Sequence, residues 1–314
     1  MKDNMLKAKV STLYYKQNQS KIQISEKLRI SRFKVAKILE DAVKEGIVTI
    51  HIKEPENAYI DLENELEKKF NIFRVSIVDS SSDYNLTKKN LGRAAARCLT
   101  DIVYDGDTIG IAWGTTIYEM VNALPGKFDR KNVTVVQITG GLNQVETKYN
   151  AIELSSRLSK IFDSNCYQLY APAILDRIET KQYLFNDSSI KRTLDMFGKV
   201  NIAIVGIGSV NPEPSTLLYQ EGFLKEEEIK KALGNCAVGD INTCFYDKNG
   251  NICTPGLGDR AVGMNIEQLK RVRYALGVAG GEFKVNAIYA ALKGKIINIL
   301  VTDYKTAEKL IDRE

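Results

Sequence analysis

The chain has 314 residues, 44 Lys and Arg against 39 Asp and Glu, and a hydrophobic fraction of 44%, an ordinary globular composition with length enough for two domains. No run of about 18 apolar residues occurs, so no transmembrane helix is expected, and Met1 to Lys7 lacks the apolar centre of a secretory leader. A single histidine, His51, and five cysteines without a CxxC pair exclude a Cys/His metal site and fit reduced thiols in a cytoplasm; no metal and no cofactor are expected.

The charge is placed unevenly. Residues 1–57 hold twelve Lys and Arg against seven Asp and Glu, an excess of five that equals the excess of the whole chain, while the remainder carries 32 of each sign. Nucleic acid as a partner of the N-terminal part alone is the natural expectation, because phosphate contacts dominate such affinity.

The first expected helix runs from Met5 to about Lys16, with Leu6, Val10, Leu13 and Tyr14 at helical spacing. A second runs over 21–28, burying Ile22, Ile24 or Ser25, and Leu28. Arg29 occupies the turn position that often takes glycine, at a small cost if its φ is positive. Ser31 is a good N-cap for a third helix, in which Val35, Ile38, Leu39 and Ala42 form one apolar face. Arg32, Phe33, Ala36 and Lys37 lie opposite, with Lys34 beside them, and Gly46 supplies a left-handed cap. Two short helices and a tight turn, the second helix basic, are the shape that enters the DNA major groove, so Ser31, Arg32, Phe33, Lys34 and Lys37 are the candidate DNA contacts. The alternative is a solvated face on a three-helix bundle. Residues 47–53 alternate as a strand and suggest a wing.

A polar linker at 54–57 separates an expected DNA-binding domain, 1–55, from a larger domain, 56–314. A charged helix over 61–70 reads as a spacer. Strands then follow at 73–78, 108–112, 133–138, 202–206, 237–246, 274–278 and 296–301. Helices are expected near 86–103, 116–123, 149–161, 190–197, 226–233, 284–293 and 305–312. The alternation implies an α/β domain with a doubly wound, mostly parallel sheet, whose ligands sit at the carboxyl ends of the strands.

Three strand ends carry glycine next to groups suited to anions. In Gly110-Ile111-Ala112-Trp113-Gly114-Thr115-Thr116 a strand meets two hydroxyl residues and a helix N-terminus. In Gln137-Ile138-Thr139-Gly140-Gly141 a glycine pair would let a ligand approach the backbone. In Val278-Ala279-Gly280-Gly281-Glu282-Phe283-Lys284 a lysine joins the first turn of a helix. Each could be an ordinary turn; together they imply one polar pocket with a phosphate site, for a small phosphorylated, hydroxyl-rich metabolite. Asp240 could accept from ligand hydroxyls. Gly206-Ile207-Gly208 lacks a third glycine, and Pro212 argues against an immediate helix, so it reads as a strand-end turn lining the same pocket and not as a dinucleotide site. Tyr170-Ala171-Pro172-Ala173 could line a wall.

These residues resemble the SorC-type bacterial transcription regulators, over nearly the whole chain. The family's winged helix-turn-helix looks like residues 20–53, and its ligand domain matches at Trp113 to Thr116, Gln137 to Gly141, Val238-Gly239-Asp240 and Gly280 to Ala291. The resemblance implies a Rossmann-like domain of the sugar-phosphate isomerase and deaminase type. It also implies a homotetramer that binds operator DNA of a carbohydrate or nucleoside catabolic operon and answers to a phosphorylated sugar. On that reading the effector contacts are Gly114, Thr115, Thr116, Thr139, Gly140, Gly141, Asp240, Gly280, Gly281 and Lys284. One branch of the family holds its effector as an imine on a lysine just before the glycine pair; Thr139 stands there in this chain and cannot form one. An isomerase or deaminase with an appended DNA-binding domain is the competing reading. It would need a positioned base, yet His51 lies in the DNA-binding part and Asp240 has no second acid beside it in the pattern.

Overall fold

A computed structural model of the chain describes residues 2–50, 58–142, 147–210, 237–253 and 257–313, with the single positions 227 and 234. It divides into two compact units, Met1–Glu56 and Asn57–Glu314.

In the first unit α1, Lys2–Ser11, runs into a wide π turn, Thr12–Lys16, followed by α2, Lys21–Leu28, and α3, Arg32–Lys44. Both later helices begin on a serine cap. The Ser20 hydroxyl accepts from the Gln23 amide N–H, while the Ser20 N–H donates to Gln23 Oε1 at 2.8 Å, a reciprocal capping box. The Ser31 hydroxyl accepts from the Lys34 N–H at 3.2 Å. Between them Arg29 takes the left-handed conformation, φ 52° and ψ 45°, and the Ser25 hydroxyl closes the turn by donating to the Ile30 carbonyl at 2.6 Å. Val10, Leu13, Ile24, Val35, Ile38 and Leu39 make the core. Ile22, expected inside, is 54% exposed. With Ile24 and Leu28 four apart setting the inward stripe, position 22 falls on the other side of so short a helix. Gly46 ends α3 at φ 73°. Residues 47–50 form no strand, and the rest of the expected wing, 51–53, lies outside the described residues.

The second unit opens with α4, Ile60–Phe70, then alternates: β1 Arg74–Val78, α5 Tyr84–Ile102, β2 Thr108–Ile111, α6 Thr115–Ala123, β3 Thr134–Gln137, α7 Ala151–Ile161 and β4 Asn165–Tyr167. Two helices follow, α8 Ile178–Asn186 and α9 Ser188–Phe197, then β5 Ile202–Gly206, β6 Gly208–Ser209, β7 Gly239–Ile241, β8 Cys244–Tyr246 and β9 Tyr274–Val278. The chain closes with α10 Val285–Lys293, β10 Ile299–Asp303 and α11 Tyr304–Ile311. Seven strands form one sheet in the order β1-β10-β9-β5-β2-β3-β4, every neighbouring pair parallel. From β2 the chain steps outward to β3 and β4; it then returns to β5, on the other side of β2, and steps away to β9 and β10. Adjacent β2 and β5 are therefore the point where winding reverses, and their carboxyl ends diverge into a crevice. Every residue of β2 and β10 is buried, as in a parallel sheet covered on both faces.

Several expected elements differ. The single strand over 237–246 is a hairpin, β7 and β8, pairing antiparallel with β6 in a separate three-stranded sheet. Its turn, Asn242-Thr243, has both residues at positive φ, 54° and 65°, the geometry that fits the right-handed twist of a two-residue hairpin. Without a glycine there, the apolar run reads as one strand. Strands β4 and β6 and helix α8 carry no clear pattern in the sequence, and the helix expected over 226–233 lies outside the described residues apart from position 227. Helix α4 is not a free spacer: Leu66 and Phe70 are buried, and Glu67 and Glu63 accept from the backbone N–H groups of Val75 and Ile77 at 2.8 and 2.7 Å. It thereby caps the open edge of β1, which would otherwise invite another strand.

Candidate functional site

A cleft lies at the carboxyl ends of β2, β5 and β9, where the winding reverses. From β2 come Ala112, Trp113, Gly114, Thr115 and Thr116; from β5 come Gly206, Ile207 and Gly208; the β7–β8 hairpin gives Asp240, Asn242 and Thr243; and Lys284 closes it beside Val278 at the end of β9.

Each wall has a local cause. Gly114 sits at φ 148°, a backbone that L side chains rarely adopt, and offers α6 no capping side chain. The first bond of α6 is the Tyr118 N–H donating to the Gly114 carbonyl at 2.9 Å. The N–H groups of Thr115, Thr116 and Ile117 precede it and have no intrahelical acceptor, so the helix presents donors and the positive end of its dipole. Lys284 ends a 3-10 turn, Glu282–Lys284, leading into α10. Its ammonium donates to the Ile207 carbonyl at 2.7 Å, which ties it to the β5 end. Burial pushes the Lys284 pKa down to about 8; the charge of Asp240 opposes that shift and the charge of Lys88 adds to it. Asp240 is 6% exposed and lines the same cleft as Lys284. Among the described residues, the Trp113 indole Nε1 and the Asn242 Oδ1 are buried without a hydrogen-bond partner. Asn242 spends its Nδ2 on the carbonyls of Ile138 and Met264, at 2.9 and 2.6 Å.

Of the ten expected effector residues, Gly114, Thr115, Thr116, Asp240 and Lys284 line this cleft; Thr139, Gly140, Gly141, Gly280 and Gly281 do not. The two glycine pairs have packing reasons. A side chain at Gly140 would stand 2.4 Å from the Pro172 carbonyl oxygen, and the Gly140 and Gly141 N–H groups donate to the Val262 and Ala171 carbonyls at 2.8 Å. Thr139 is fully buried and bridges Gly263 through the backbone. At the other pair, a Cβ on Gly280 would meet Asp303 Oδ2 at 2.3 Å. The Gly281 N–H donates to that oxygen at 2.6 Å and to the Thr306 hydroxyl at 2.9 Å. The Gly140, Gly141 and Gly281 N–H groups are thus already used within the protein, while the buried Thr139 hydroxyl has no partner among the described residues. Tyr170 is 70% exposed and Ala173 buried, and neither lines the cleft. Gly206, Ile207 and Gly208 line the cleft, as expected of that strand-end turn, whereas Trp113, Asn242 and Thr243 were absent from the expected contacts. Asn-Thr between two β-rich runs is the one signal that could have marked the last two as a turn.

On the first unit Ser31, Arg32, Phe33, Lys34 and Lys37 are all exposed, while Val35, Ile38, Leu39 and Ala42 face the core. The Ser31 hydroxyl is taken as the cap of α3. The Arg32 guanidinium lies over the Phe33 ring, 5.8 Å from its centroid.

Residues 54–312 match the family model Sugar-bind, a sugar-binding domain. The chain is 34% identical over 308 residues to the deoxyribonucleoside regulator of Bacillus subtilis, covering 98% of this chain and 97% of that protein. It is 30% identical over 313 residues to the sorbitol operon regulator of Klebsiella pneumoniae, covering 98% of each. The crystal structure of the full-length sorbitol operon regulator SorC from Klebsiella pneumoniae superposes with a TM-score of 0.77 at 28% identity, covering 98% of both chains.

Proposed function

The chain belongs to the SorC-type family of sugar-binding transcription regulators, and from that premise we propose that a phosphorylated sugar in the β2–β5 cleft controls operator binding by α3. The protein is a regulator of a sugar or nucleoside operon and not an enzyme; its partners are DNA and a sugar effector. The finer assignment rests on one observation: the uncapped N-terminus of α6 and the Lys284 ammonium border the same cleft, with the Asp240 carboxylate across from them. Donors, dipole and cation suit a phosphate, and a buried carboxylate suits sugar hydroxyls. The phosphate is assigned to Gly114, Thr115, Thr116 and Lys284, the hydroxyls to Asp240 with Asn242 and Thr243. The loops at Thr139-Gly140-Gly141 and Gly280-Gly281 act as the frame behind these residues. No imine forms at position 139, since threonine has no amine.

In the same reading residues 1–55 form a winged helix-turn-helix that contacts DNA through Ser31, Arg32, Phe33, Lys34 and Lys37, residues 56–314 bind the effector and hold a homotetramer together, and the protein works in the cytoplasm. The test is a thermal-shift panel of sugar phosphates beside the corresponding free sugars. A true effector at 100 times its Kd stabilises by about 2.7 kcal/mol. Phosphorylated sugars are expected to shift the melt and to change operator affinity, with Lys284→Ala removing both effects. Equal shifts from free sugars would refute the phosphate assignment.

A further inference from the structure

We infer that Phe33 reads the 5-methyl group of a thymine in the operator. The inference rests on the assignment of α3 to the major groove. Phe33 is the second residue of α3, in the N-terminal turn that a recognition helix presents to base edges, and it is 80% exposed. It shares a stripe with Ala36 and Lys37, three and four residues on, directly away from the Val35, Ile38, Leu39 and Ala42 seam that holds the helix to its unit. The ring therefore contributes nothing to the core. Arg32, Lys34 and Lys37 surround it, all exposed, and the Arg32 guanidinium leans over it. That ring of cations decides between occupants. A second copy docking on Phe33 would bring the same three charges together, whereas DNA supplies phosphates for them. Within the groove, the one apolar feature offered to an aromatic ring is the thymine methyl. The small side chain of Ala36 leaves room beside the ring for the base edge.

The experiment begins by selecting duplexes from a random pool with the full-length protein. Each thymine of the selected site is then replaced singly by deoxyuridine, which removes the methyl and nothing else. At one thymine of each half-site the wild-type protein is expected to lose about fourfold in affinity, the value of one buried methyl-sized group. Phe33→Ala is expected to bind the thymine and deoxyuridine duplexes equally, and Phe33→Leu to keep part of the discrimination. Phe33→Ala should keep the wild-type melting temperature, since the ring is exposed. The inference is overturned if no deoxyuridine substitution matters, or if Phe33→Ala retains the same methyl preference. A change in sedimentation on Phe33→Ala overturns it too, by assigning the ring to a contact between copies. If the pool yields no enriched duplex, the groove assignment of α3 itself fails and takes this reading with it; enrichment without methyl sensitivity leaves that assignment standing and removes only the role of Phe33.

Discussion

Lys284 concentrates the chemistry of the cleft because its environment sets two demands against each other. Burial disfavours its charge and pushes its pKa down to about 8, while Asp240 nearby favours the charge. A phosphate arriving beside it would favour the charge further, so binding should draw a proton onto the lysine at alkaline pH. A sugar phosphate loses its last proton near pH 6, and Lys284 loses its own near 8. Effector affinity is therefore expected to rise through about pH 6, hold, and fall above pH 8, with net proton uptake at pH 8 to 8.5. Calorimetry in two buffers of different ionisation enthalpy measures that uptake, and a profile flat from pH 7 to 9.5 would count against the lysine as phosphate ligand. The same residue-scale view gives the glycine pairs a packing reason. Gly140 and Gly280 are small because a carbonyl oxygen and a carboxylate lie 2.4 and 2.3 Å from where a Cβ would be, a packing demand that looks identical, in sequence, to room left for a ligand.

At the scale of elements, turns carry the strain. Arg29 holds the left-handed conformation between α2 and α3, where an L side chain costs about 1–2 kcal/mol. Glycine there would remove that cost and lose roughly 0.5–1 kcal/mol more backbone entropy on folding. Arg29→Gly is thus expected to stabilise the N-terminal unit by about 0.5 kcal/mol net, seen as a later loss of its helical signal in denaturant. An earlier loss would show that the Arg29 side chain contributes a contact that outweighs the strain. The Asn242-Thr243 turn is the counterpart in the large unit: two residues at positive φ, one of them β-branched, sit on the cleft wall, where strain is commonly kept for function. Helix α4 belongs to this scale as well. Its sequence is that of a solvated charged helix, but two of its glutamates are committed to the edge of β1; burial raises the Glu63 pKa, with the Ile77 N–H pulling the other way.

For the whole molecule, the excess positive charge of residues 1–57 and the neutral remainder separate output from input. Variants on α3 should disturb DNA binding and leave the cleft untouched. Arg32→Ala and Lys37→Ala are each expected to weaken operator binding, and, where the lost group neutralised a phosphate, to reduce the slope of log affinity against log salt by about 0.9. The effector-induced thermal shift should stay as in the wild type. Fluorescence anisotropy across a salt series, run beside the melts, checks both; wild-type affinity in either variant would remove that residue from the DNA interface.

What the sequence determined by itself was whatever rests on local period and charge. The α3 seam at Val35, Ile38, Leu39 and Ala42, the serine cap at Ser31, the alternation that produced a parallel sheet, and the cleft residues Gly114, Thr115, Thr116, Asp240 and Lys284 are each legible from neighbours a few positions apart. The tertiary structure alone decided which strand ends meet. Because β5 returns to the far side of β2, the β2, β5 and β9 ends converge on one crevice, while the loop after β3 turns back onto Pro172 and Val262. Register and crossover are set by contacts between residues roughly a hundred positions apart, such as Ile111 beside Ile204, and no short-range pattern encodes them.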